Sequence, residues 1–387
     1  MKKFSIIAFV VLAAFSCSKQ ETPVVALPQD PDEVFTGEER IPITFGSDIA
    51  TLVETKAAVT AFNQNQDLHI YGIARDGNDN LNLNNIIIDD VTSKSPAGDG
   101  QIYVEDRASG TYYYYQYNTN YSFFGYYIDN ITPRRKRTVG NEIALDLSID
   151  GSQDVMVARD DRSASVEHFL KTHSEALDKY QASYPNDTDG SALRKRLYSA
   201  YSARKGITPE LRFKHVLSRF VFHIVDGSVN PEANLKVDSL WIAGAKTDAT
   251  LYVVSESRSG AACLVPSDAQ TDNLYLLDAD GNDVLNHTVY HGGSTEPVQL
   301  GESLMAMPGE TSYNLAFVLK QDEVNGGTTR TVRRVQTAVI NMPSGESQPG
   351  VSYTVNITVY SLEKIVLDVS LEPWDPYDTP INIGEDD

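Results

Sequence analysis

Cysteine, tryptophan and basic charge are all scarce in this chain of 387 residues. Its two cysteines, Cys17 and Cys263, exclude the disulfide lattice that holds small secreted domains together. Only 32 Lys and Arg stand against 53 Asp and Glu, a net charge of −21, and such a surface repels phosphate backbones. Nucleic acid is thereby excluded as a partner, because that affinity comes largely from cations neutralising phosphates. No G-x-S-x-G, P-loop or G-x-G-x-x-G motif occurs, and no HExxH spacing. Nothing therefore points to an enzyme, a cofactor or a metal. Long apolar runs are missing too, apart from Phe4–Phe15, which is too short to span a bilayer as a helix.

Six of the seven histidines fall in pairs, none of them a ligand set. His168 and His173 would project about 140° apart on a helix, so they cannot share an ion. On one continuous strand His215 and His223 would share a face but lie about 26 Å apart. His287 and His291 have no cysteine beside them.

Met1-Lys2-Lys3 followed by Phe4–Phe15 has the charge and apolar length of an export signal over residues 1–16. The run ends in Ala14-Phe15-Ser16-Cys17, which looks like a bacterial lipobox whose cysteine receives lipid; the alternative is a chance cysteine behind an ordinary signal. Residues 17–40 are rich in Pro, Asp and Glu and carry too little apolar surface to fold alone, so they read as a tether. Arg40 and Ile41 close it, an accessible site for a trypsin-like protease or, more plainly, a solvated arginine before a strand.

Short alternating segments separated by Gly, Asn and Asp turns fill the remainder and predict an all-β chain of antiparallel sandwiches. One is expected over 41–209 and a second over 210–387. The stretch Leu211–Val225 (LRFKHVLSRFVFHIV) is dense enough in aromatic and β-branched residues to form a single buried strand joining the halves. Residues 161–206 break the pattern: Val166, Phe169, Leu170, His173, Leu177 and Tyr180 fall at helical spacing, and Leu193, Leu197 and Tyr201 follow Ser191, predicting a helical insert near the junction. The tyrosines from Tyr112 to Tyr127 sit at both parities of their strands, which favours packing over a ligand platform. Cys263 reads as a small buried hydrophobe. Near the end, Val351, Tyr353, Val355, Ile357 and Val359 alternate with polar residues, and Ile365, Leu367, Val369 and Leu371 repeat the pattern before a tail with Ile381 and Ile383.

Several of these stretches together resemble the fimbrillin family of Bacteroidetes, the FimA/Mfa-like pilins. They are the lipobox at Cys17, Ile43-Thr44-Phe45 with Thr55-Lys56-Ala57, Tyr121-Ser122-Phe123-Phe124-Gly125-Tyr126-Tyr127, Asp154-Val155-Met156-Val157-Ala158, Phe213-Lys214-His215-Val216-Leu217-Ser218-Arg219, and the closing strand pair ending at Trp374. The resemblance implies two transthyretin-like β-sandwich domains in tandem and export as an outer-membrane lipoprotein. It also implies cleavage at Arg40 and assembly with other fimbrial subunits by strand exchange. The donor would be Ile365, Leu367, Val369 and Leu371 with the tail through Ile381 and Ile383. A surface receptor of host or bacterial origin would be the adhesive partner. Stalk, tip and anchor roles stay open, as does a glycan-binding lipoprotein.

Overall fold

The computed structural model describes residues 43–46, 67–76, 78–93, 101–103, 105–106, 111–113, 115–116, 119–160, 198–200, 203, 209, 211–227, 235–289, 297–325, 327–362 and 364–373. Their regular structure is almost wholly strand. The first half supplies β1 (Thr44–Gly46), β2 (Leu68–Ala74), β3 (Ile86–Ser93), β4 (Gln101–Tyr103), β5 (Glu105–Asp106), β6 (Thr111–Tyr112), β7 (Tyr121–Ile128), β8 (Arg135–Val139), β9 (Glu142–Ser148) and β10 (Val155–Asp160). The second supplies β11 (Leu211–His215), β12 (Ser218–Asp226), β13 (Lys236–Lys246), β14 (Asp248–Val254), β15 (Leu264–Pro266), β16 (Thr271–Tyr275), β17 (His287–Thr288), β18 (Val298–Ala306), β19 (Ser312–Asn325), β20 (Thr328–Asn341), β21 (Val351–Ser361) and β22 (Lys364–Pro373).

One sandwich packs the antiparallel sheet β11-β10-β7-β2-β3 against the sheet β15-β14-β9-β8. β7 is its centre and is buried on both faces, which explains why aromatics occupy both parities of YSFFGYYI. Phe124 and Tyr126 point into the layer shared with Leu145, Leu251 and Leu264. Tyr121, Phe123 and Tyr127 point the other way, under Ile43 and Phe45 from the start of the described chain. The tyrosines Tyr115, Tyr121, Tyr126 and Tyr127 are accordingly buried packing residues.

Two strands of the facing sheet, β14 and β15, come from beyond residue 247, and β14 pairs with β9 over Asp248↔Ser148 to Val254↔Ile143. The sheet thus joins strands from both sides of the 209/210 division. β8 has the sequence RKRTV and lacks the apolar density that marks the other strands, yet it completes the ladder by pairing with β9.

The second sandwich packs β18-β12-β21-β22 against β16-β13-β19-β20, around Phe220, Phe222, Leu240, Phe317, Val355 and Ile357. Its pairings are antiparallel apart from β12 with β21, which run parallel.

Leu211–Val225 is not one strand. β11 ends at His215 in the first sandwich, and β12 starts at Ser218 in the second. Consecutive strand residues point to opposite faces, so a straight strand would bury only one of Val216 and Leu217 in a given layer. The break lets both enter one cluster, with Met305 and Met307 beside them. Its backbone stays hydrogen-bonded, because Val216 N–H donates to the Val155 carbonyl at 3.0 Å and Gly350 N–H donates to that of Leu217 at 2.9 Å. His215 and His223 therefore stand on different sheets.

The helical insert expected over 161–206 lies outside the described residues except at 198–200 and 203, as do Cys17, Arg40, Ile41, Ile381 and Ile383. Where the chain is described, Tyr198 is fully buried against Phe123, with ring centroids 6.1 Å apart, and Ala203 N–H donates to the Ser199 carbonyl.

Candidate functional site

The strand singled out at the C-terminal end, β22, is an edge. Its ladder with β21 runs from Val351↔Pro373 to Ser361↔Lys364, and it has no second strand neighbour among the described residues. One face carries Ile365, Leu367 and Val369, which are only partly buried against the core, while Val366 on the other face is 50% exposed and Leu371 at the end is 43% exposed. Tyr353, Val355, Ile357 and Val359 of β21, by contrast, are fully buried. An edge with one ladder and three half-buried side chains is held more weakly than a central strand, and its outer N–H and C=O groups can pair with another chain.

β20, the edge of the facing sheet, lies alongside. The Gln336 side-chain amide donates to the Leu362 carbonyl in the turn before β22. Arg330, Arg333 and Arg334 along β20 are exposed.

At two other places among the described residues a carboxylate is paired with a histidine. Asp90 accepts from Tyr126 Oη at 2.7 Å and lies 3.0 Å from His69 Nδ1, and the His69 ring stacks on Tyr126 at 4.5 Å. Burial alone would raise Asp90, but those hydrogen bonds and the Lys136 ammonium hold its carboxyl down at about 2. Burial first, and then the same carboxylate, push the Tyr71 hydroxyl well above the usual phenol range. At the second place Asp154, buried beside the interdomain break, meets His215. Each pairing sets a histidine against a carboxylate, half-buried at Asp90 and buried at Asp154, and among the described residues no group of three or more His, Cys, Asp or Glu is placed to hold a metal ion. Cys263 is buried, which pushes its thiol up to about 11, in keeping with a packing role.

The class defined by these features is an all-β protein of two sandwiches, one built from strands drawn from both halves of the chain, with a lightly held strand at its C-terminal edge. Among solved structures the chain is similar to a Bacteroides uniformis protein described as a candidate for cell adhesion, at 14% identity and a TM-score of 0.46, over 87% of this chain and 98% of that one. It is similar also to a fimbrial protein from Bacteroides vulgatus, at 14% identity and a TM-score of 0.43, over 87% and 100%. A third is the fimbrial anchor protein Mfa2 from Porphyromonas gingivalis, at 11% identity and a TM-score of 0.28, over 87% and 98%. No family model matches the chain, and no curated protein matches it. At these levels of identity and overlap, function has to be read from this chain's own residues.

Sequence reasoning missed the Asp90 cluster and the outward face of β13 and β16. The pair Asp89-Asp90 inside an otherwise apolar strand (IIIDDVTS) was a usable signal for the first. Trp241 at an outward parity of its strand was the signal for the second.

Proposed function

We propose that the chain is a structural, non-enzymatic subunit of surface fimbriae. It is exported as a lipoprotein through Cys17, held at the outer membrane until cleavage between Arg40 and Ile41, and then assembles with other fimbrial subunits and contributes to adhesion. In this reading Ile365, Leu367, Val369 and Leu371, with Ile381 and Ile383 in the tail, lend a strand to the neighbouring subunit. The observation that carries it is the edge position of β22 with its alternating, half-buried aliphatic face. Main-chain hydrogen bonds would supply the affinity of such an exchange and the alternate side chains its register. The sequence resemblance through the Tyr121–Tyr127 and Phe213–Arg219 stretches supports the same reading.

Digestion of purified protein with an arginine-specific protease tests it. Expected are a new N-terminus at Ile41 and SDS-resistant ladders with fibres under the electron microscope, and Arg40→Ala is expected to leave full-length lipidated monomers. Normal polymers from Arg40→Ala, or from a chain truncated before Lys364, overturn the mechanism.

A further inference from the structure

The outward face of the sheet β16-β13-β19-β20 carries an aromatic pair with no role in either core. Trp241 on β13 stands directly opposite Tyr275 on β16, their ring centroids are 5.6 Å apart, and the planes tilt by 32°. Both strands alternate, and the neighbouring Ile242 and Leu274 point into the core, so the two rings face outward. Tyr275 is 36% exposed. Across the ladder Trp241 faces Ala316 and then Thr337, in one row over four strands. Ala316 is 4% exposed although Thr337 and Asn314 around it are open to solvent. Trp241, half-buried, stands opposite that alanine on the same outward face, so the two rings and Ala316 form one low, apolar strip beside the exposed Thr337.

The geometry points to this face as a binding platform for neutral carbohydrate. A pyranose presents an apolar, positively polarised C–H face to the negative face of an aromatic ring, and its hydroxyls then need donors and acceptors at the rim. The rows on either side provide them: Ser239 lies opposite Val318 in one and Asn314 opposite Val339 in the other. Beyond the Ser239 row Lys236, Lys320 and Arg333 stand in register around Asp238, which lies 2.5 Å from Lys320 and 3.3 Å from Arg333, while the three rows of the platform carry no charged side chain. Size separates a sugar from a protein partner. Three rows over four strands measure about 14 Å by about 14 Å, or about 200 Å², whereas a stable protein partner needs about 800 Å² on each side.

The platform does not depend on strand exchange, so monomeric full-length protein serves for the test. It is applied to an array of neutral hexose and N-acetylhexosamine oligosaccharides, and the strongest binder is titrated by calorimetry. We expect saturable binding that Tyr275→Ala weakens by at least about tenfold with an unchanged melting temperature. Trp241→Phe is expected to retain most of the affinity and Trp241→Ala to lose it. Thr337→Arg places a bulky charge at the exposed rim without touching the core, and it is expected to abolish binding even if Trp241→Ala fails to fold. No saturable binding to any neutral oligosaccharide, or binding that Tyr275→Ala and Thr337→Arg leave intact, overturns the proposal.

Discussion

Asp154 and His215 meet at 3.0 Å one residue before the chain leaves the first sandwich for the second. The carboxylate is almost wholly buried, with side-chain exposure of 1%, so its partner matters more than a surface ion pair would. His215→Ala leaves that carboxylate without its side-chain donor and should cost about 1–3 kcal/mol in denaturant unfolding. A conserved midpoint for this variant would show that the pair does not brace the junction.

Acid should expose the Asp90 cluster. The folded carboxyl lies at about 2, below the ordinary aspartate value near 4, so its stabilising share is complete above pH 4 and is lost as pH falls toward 2. Thermal melts of wild type and Asp90→Asn between pH 2 and pH 6 should converge at the acid end, with wild type ahead at pH 6. Parallel curves would remove Asp90 from the acid response.

Gly125 sits at the centre of the doubly buried β7, where an added Cβ would come within 2.9 Å of the Phe213 ring and 3.4 Å of Ile70. Both neighbours are packed in the same cluster, so neither can move aside freely. Gly125→Ala is expected to lower stability by about 1–3 kcal/mol, and Gly125→Leu to prevent folding, read by circular dichroism and soluble yield.

Native-state hydrogen exchange should rank the C-terminal strands. Amides of β22 bonded to β21 are expected to open at lower free energy than those of β21 bonded to β12, because one edge ladder and three half-buried side chains hold the former. Leu367→Ala should correspondingly cost less than Ile357→Ala, whose side chain is fully buried. Equal protection of the two strands would count against a releasable edge.

The buried Cys263 thiol, raised to about 11, should resist a thiol reagent at pH 8 and react on unfolding. Fast labelling of the native protein would show that the residue opens to solvent.

Much of the secondary structure was legible because burial writes itself into a period of two. The alternation from Val351 to Val359 falls on the inward face of β21 as expected. β8 was not legible, since an edge strand facing solvent can be built from Arg, Lys and Thr and carries no apolar signal. Nor was the break at Val216-Leu217, where the apolar run continues unbroken while the backbone turns from one sheet to another.

The sequence by itself determined that the chain is all-β, acidic and without a recognisable catalytic motif, because charge, motif and local alternation are properties of neighbouring residues. Which strands share a sheet was decided only in three dimensions. β14 lies against β9 across more than a hundred residues, β12 runs parallel to β21, and Trp241 meets Tyr275 on an outer face. Those pairings follow from the simultaneous burial of surfaces far apart in the chain, a global condition that no local pattern encodes.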